Sequence, residues 1–286
     1  MLYKYLDIDG GINAIKKQTV KFSNINEWRN GGSNDCKENY IAGCFENEVD
    51  FKEMLSQFDK EGFDYDQRMR HFYGIALYSY QTYASCFCKS MNNRNYMWNE
   101  FIRQGGLCLA FKDELFDHLC ENYSKTHELV EGEIGCNVFD FKQGSITYSD
   151  ELPKITDIVG TIEDVEDYLP LAYYSKRRFS DNGNNYEAED EFRITATRMD
   201  ILATALSVSI PNTVGKLFDF SLENVSKYLY ERHLIDVHNK SPVYLKYDIE
   251  SDLYGVYTSP INTTAQNEEI RDTCHKNNIQ ILDTIL

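Results

Sequence analysis

Gly105-Gly106-Leu107-Cys108-Leu109-Ala110-Phe111 is two glycines followed by five apolar residues. The glycines close a helix expected over 94–103. A nearly continuous apolar run suits a strand covered on both faces, which predicts an interior strand over 107–111. Upstream, 82–88 reads as a strand, and 50–60 and 65–80 as helices. A polar loop spans 24–39. Thr19-Val20-Lys21-Phe22-Ser23 alternates as a strand does. The chain opens with a short strand over 2–5, then a helix capped by Asp9 and running through Lys17. Downstream, 113–123, 162–176, 222–232 and 265–276 read as helices. Strands are expected at 127–130, 146–148, 191–197, 243–247, 253–258 and 279–282. Strands and helices are interspersed without regular βα alternation. This predicts an α+β fold with a mixed or split central sheet flanked by helices. No linker, repeat or low-complexity tract interrupts the sequence, so a single domain over 1–286 is expected.

Composition bounds the function. The 286 residues are 42% hydrophobic and 14% aromatic, with 21 Tyr and 16 Phe, which excludes an intrinsically disordered chain. Twenty-nine basic against 46 acidic residues leave a net charge of −17. That balance argues against general nucleic-acid binding and against anionic membrane. No basic segment precedes an apolar one at the start, so no signal peptide is expected. The apolar stretch 201–210 is about half the length needed to span a bilayer. A cytoplasmic protein without a membrane partner is therefore expected. A homo-oligomer is compatible with the sequence. Among eight cysteines only Cys86 and Cys88 are close, and His233 and His238 lie far from them. Structural zinc needs two close ligand pairs, so reduced thiols and no metal are expected.

The densest charge lies in Tyr186-Glu187-Ala188-Glu189-Asp190-Glu191-Phe192-Arg193-Ile194. Read as one strand, it puts Glu187, Glu189, Glu191 and Arg193 on one face, and Phe192, Ile194 and Ala196 on the other. Carboxylates two residues apart on a strand lie within roughly 7 Å. Their repulsion raises one pKa while a guanidinium lowers its neighbour's. Such a pair would hold a hydroxyl or steady developing positive charge. The alternative expectation is the solvated face of an edge strand. Between Asn92 and Phe111, Met97 and Trp98 sit on the helix before the glycine pair. Trp98 would either wall a planar ligand or pack in the core.

Taken in order, these motifs resemble a bacterial family of unknown function that is sometimes linked to abortive phage infection. Its members open with Leu-Tyr-Lys-Tyr, as at 2–5, and continue with a strand ending Phe-Ser, as at Phe22-Ser23. Ser33-Asn34-Asp35-Cys36-Lys37-Glu38 stands at the place of its Phe-Asn-Asp-Pro-Phe-Glu/Asp box. Cys86-Phe87-Cys88, Met97-Trp98, Gly106 and Leu107–Phe111 follow, then Lys176 and Glu189-x-Glu191-x-Arg193. The closing strand, proline and helix match 254–260 and 265–276.

A looser similarity is to ADP-ribosyltransferases. In these a first strand bears Arg or His, a second bears Ser, and a late Glu-x-Glu carries the catalytic Glu. Here Lys4 stands in the first position, Ser23 begins the second, and Glu189-x-Glu191 supplies the third. The resemblance implies NAD as cofactor and a macromolecular or nucleotide acceptor as partner. Glu191 would stabilise an oxocarbenium-like ribose, and Glu189 would orient the acceptor. Lys4 would contact phosphate, Ser23 would fix the ribose, Tyr5 or Trp98 would stack on a ring, and Arg193 would support the cofactor site. Two other classes stay open. One is a non-enzymatic binding or sensing module of a defence system. The other is a metal-dependent nuclease using Glu187, Glu189 and Asp190, with Lys176-Arg177-Arg178 as its basic track.

Overall fold

The computed structural model describes residues 1–25, 82–123, 139–150, 174–179, 183, 185–198 and 242–282. The expected elements at 50–60, 65–80, 127–130 and 222–232, residues 162–173 of the helix expected over 162–176, the loop over 26–39 with the box at 33–38, and the stretch 201–210 lie outside them. The described elements are β1 (Leu2–Asp7), α1 (Ile8–Lys17), β2 (Thr19–Asn24), β3 (Thr82–Cys88) and α2 (Arg94–Tyr96). A π-helical turn (Met97–Phe101) leads to β4 (Gly106–Phe111), α3 (Leu115–Tyr123), β5 (Phe139–Ser145), β6 (Thr147–Ser149) and β7 (Ser175–Arg177). A 3₁₀ turn (Tyr186–Glu189) precedes β8 (Glu191–Arg198). Then come β9 (Val243–Lys246), α4 (Ile249–Asp252), β10 (Leu253–Thr258), α5 (Thr264–Lys276) and β11 (Ile281–Leu282). The fold is α+β.

Among the described residues, nine strands form one mixed sheet in the order β11-β10-β4-β1-β3-β2-β9. β8 pairs with β3, and β5 with β8. β4 lies between β1 and β10, antiparallel to both, and all six of its residues are buried. The apolar run over 107–111 is thus an interior strand. Its two faces meet different layers. On one, Leu107 and Leu109 join Ile12 and Ile15 of α1 and Ile270 and Cys274 of α5. On the other, Cys108 packs with Tyr5, Met97 and Trp98. Gly105 ends the preceding turn at φ +88°, a conformation open to glycine. At Gly106 a Cβ would stand 2.1 Å from the Leu6 carbonyl oxygen of β1. The glycine pair therefore stops a helix and also lets β4 close onto β1.

β3 organises the split. β8 pairs along its whole length, Thr82↔Thr197 through Cys88↔Glu191. Its other edge meets β1 only at Tyr3↔Cys88, and β2 only at Ser23↔Ala84 and Asn24↔Tyr83. β1 and β2 therefore part between Ser85 and Phe87.

Several expectations are corrected. Asp7, rather than Asp9, caps α1 and accepts from the Gly10 amide at 2.6 Å. Asp9 lies inside the first turn, where a carboxylate complements the helix dipole. Lys176 belongs to β7, which pairs in parallel with β6 rather than ending a helix. β5 was not anticipated, because Lys142-Gln143-Gly144 reads as loop. It is a strand with alternate burial along the edge of β8.

The His118–Asp252 pair ties α3 to α4, and the Asp252 side chain is buried. The Asp252 carboxylate holds the His118 imidazole above its ordinary value, against a smaller effect of burial. A folded-state pKa raised above the unfolded one gives stabilisation that is fully present below about 6.5 and is lost as pH rises through the folded value. His118→Ala should therefore lower the melting temperature at pH 5.5 and change it little at pH 9. Equal losses at both pH values would contradict a charged pair.

Candidate functional site

A cleft of about 820 Å³ opens where β1 and β2 separate along β3. This volume falls in the range of small-molecule and cofactor sites, roughly 300–1,000 Å³. Six segments wall it: β1, β2, β3, the π-helical turn, Lys176 of β7, and the stretch that enters β8.

At one end lie two carboxylates. Glu191 is the first residue of β8 and is buried, at 6% exposure. Arg193 Nε donates to its Oε1 at 2.5 Å and Lys176 Nζ to its Oε2 at 3.2 Å. The Cys86 thiol donates to the same carboxylate. The Glu191 amide donates to the Tyr148 hydroxyl at 3.0 Å. Burial alone favours the neutral acid. The charges of Arg193 and Lys176 and the hydrogen bonds outweigh it, and the carboxyl lies well below the usual carboxylate range. Glu191 is therefore ionised throughout the neutral range. It is suited to accept a hydrogen bond or face a positive charge, and not to shuttle a proton. Glu189 stands beside it, and its Oε2 accepts from Lys176 Nζ at 2.8 Å. Lys176 also lies 4.6 Å over the Tyr186 ring.

The route to this arrangement differs from a single acidic strand. Tyr186–Glu189 is a 3₁₀ turn capped by the Asn185 side chain, and Asp190 adopts φ 46°. The Ser90 hydroxyl and the Lys89 amide hold Asp190 there. Glu187 and Glu189 therefore do not share a strand face with Glu191 and Arg193. The turn, rather than strand alternation, brings Glu189 to Lys176. Glu187 faces away to Arg178. β8 lies between β3 and β5, so its polar face is also not that of an edge strand; Glu191, Arg193, Thr195 and Thr197 are all buried.

Lys4, Lys21 and Ser23 also line the cleft. Lys4 Nζ donates to the Ser85 hydroxyl at 2.7 Å and to the Cys86 carbonyl at 3.0 Å, where β3 lacks a strand partner on that edge. It also lies 4.8 Å over the Phe87 ring. Burial lowers its pKa to about 8.

The cleft thus gathers Lys4, Tyr5, Ser23, Glu189 and Glu191 from β1, β2, the 3₁₀ turn and β8. It does not gather Trp98 or Arg193. Trp98 is 1% exposed and packs edge-on against Tyr5 at 4.7 Å, because the π-helical turn aims it into the core. Tyr96 and Phe101 of the same segment line the cleft instead. Arg193 is buried and bonds the Glu191 carboxylate from outside the cleft lining. Lys176 was expected as part of a basic track. Its ion pairs with Glu189 and Glu191, and those of Arg178 with Asp150 and Glu187, remove that track. Sequence reasoning missed Lys176 as a site residue. Its one signal was its place just ahead of Glu-x-Glu-x-Arg. Among the described residues no group of three or more His, Cys, Asp or Glu side chains is placed to hold a metal ion. No described helix is long and apolar enough to cross a membrane.

Compared with protein-family profiles, with curated proteins and with solved structures, the chain matches none.

Proposed function

We propose that the protein is an NAD-consuming enzyme of the ADP-ribosyltransferase type, acting in an abortive-infection setting. One observation carries the chemistry: Lys4, Ser23, Glu189 and Glu191, far apart in sequence, line one cleft at a split in the sheet. The residues suit NAD. A half-buried ammonium suits its phosphates, Tyr96 offers a ring face, and the Glu189 and Glu191 carboxylates suit ribose hydroxyls. In the reaction the bond between ribose C1′ and nicotinamide breaks, and nicotinamide leaves with the bonding electrons as a neutral base. C1′ then carries positive charge until an acceptor nucleophile, water included, bonds to it and releases its proton. Glu191 accepts a hydrogen bond from a ribose hydroxyl and faces the developing charge. Glu189 orients the acceptor. Arg193 and Lys176 hold both carboxylates in place, and Tyr5 supports Trp98 and the cleft floor.

One observation favours a second reading. Arg193 and Lys176 already satisfy Glu191, which suits a nucleotide-binding module without turnover. The test is direct. NAD is incubated with the protein, and free nicotinamide is followed together with the melting temperature. Nicotinamide release that is lost in Glu191→Gln supports the transferase. Stabilisation by NAD without release supports the binding module. Neither effect would sink both readings.

A further inference from the structure

In the cleft Lys176 is matched by Glu189 and Glu191, and Arg103 by Glu100. The other two cations that line the cleft, Lys4 and Lys21, differ. Among the described residues neither makes an ion pair with a carboxylate. Lys4 has only neutral acceptors, Ser85 and the Cys86 carbonyl. Lys21 projects from β2, two residues before Ser23, so the two side chains share a strand face and line the cleft together. Ser23 pairs with Ala84, the neighbour of Ser85, which brings the two lysines to the same mouth of the split. They are close enough to repel: burial is the main reason the pKa of Lys4 is lowered, Glu191 opposes it, and Lys21 adds a smaller lowering.

Two like charges side by side, one half-buried, cost free energy in the unliganded protein, offset at Lys4 by the Glu191 carboxylate, whose oxygens Arg193 and Lys176 already take. An anion bound between the strands would remove that cost.

We propose that Lys4, Lys21 and the Ser23 hydroxyl form a diphosphate subsite, with each ammonium taking one phosphate of a dinucleotide and Ser23 donating to a phosphate oxygen. Lysine suits this as a compact point charge on a flexible stem. The identity of the dinucleotide rests on the function proposed above, whereas the diphosphate chemistry does not. Lys21 carries no assignment in the family resemblance. Its position on the exposed face of β2 means that it can be replaced without emptying the core.

The test uses calorimetry and thermal shift on the full chain at low salt. The probes are inorganic pyrophosphate, ADP-ribose and nicotinamide riboside, the last carrying no phosphate. Pyrophosphate and ADP-ribose should bind and stabilise, and nicotinamide riboside should bind far more weakly. Lys21→Met should weaken ADP-ribose binding roughly tenfold or more, the scale of a lost charge-assisted hydrogen bond. Lys16→Met, which removes an equal charge from the exposed face of α1, should leave binding unchanged. Lys4→Met should act in the same direction as Lys21→Met, with folding checked by melting. If Lys16→Met and Lys21→Met weaken binding equally, the effect is general charge and the subsite is overturned. Nicotinamide release from NAD without detectable binding of pyrophosphate or ADP-ribose also overturns it, and leaves the transferase reading standing. Phosphate-dependent binding lost in Lys21→Met, with no nicotinamide release at any stage, supports the subsite and rejects the transferase.

Discussion

Glu191→Ala is expected to lower the unfolding free energy by about 3–5 kcal/mol, the usual cost of removing one partner from a buried ion-pair network. The physical reason lies in what remains. Arg193 is 3% exposed and Lys176 8%, and without Glu191 both keep charge away from water with less to answer it. Glu189 still pairs with Lys176, so Arg193 bears most of the penalty. Denaturant unfolding of the single variant, of Arg193→Met and of the double variant measures the coupling. The double variant should be less destabilised than the sum of the singles. Glu191→Gln separates chemistry from folding, because it keeps the shape and one acceptor while losing the negative charge. It should retain more stability than Glu191→Ala and still lose roughly two orders of magnitude or more in nicotinamide release. An unfolding midpoint unchanged in Glu191→Ala would mean that the network is solvated and that the burial of β8 is wrong.

Phe111→Ala should cost a comparable amount, about 3–5 kcal/mol, by deleting a fully buried aromatic ring and leaving a cavity. Phe111 ends β4 and packs edge-on against Phe87 at 6.0 Å and Tyr247 at 5.1 Å. It therefore joins β3, β4 and the segment after β9. Rigid neighbours from three parts of the chain cannot all relax into the void, which puts the expected loss toward the upper end of that range. Phe111→Leu, which keeps most of the volume, should cost distinctly less. A loss below about 1 kcal/mol for Phe111→Ala would remove β4 from the sheet interior.

These two residues mark how far the sequence alone could be read. Phe111 was legible because five apolar residues in succession leave no polar face for solvent, and such a strand must be covered on both sides. β5 was illegible for the opposite reason. Among the described strands it pairs with β8 alone, and its outward residues and Gly144 resemble loop. At the site, Glu189 and Glu191 were legible as a charged pair. The assumed strand alternation was not how they come together, since a 3₁₀ turn and a left-handed Asp190 intervene. Trp98 shows the limit of residue type as a guide. It is the larger ring, but the π-helical turn buries it and leaves Tyr96 and Phe101 on the cleft.

The sequence by itself determined the α+β class and the interior strand, because hydrophobic periodicity and glycine placement are local signals. Only the tertiary structure decided which charges face one another. Lys176 meets Glu189 and Glu191 across 13 and 15 residues of chain. Lys4 reaches β3 across 81. Lys21 lies beside Lys4 without a carboxylate. The −17 net charge says nothing about those meetings, because Coulomb energy depends on distance and burial, and both are set by how β1 and β2 part along β3.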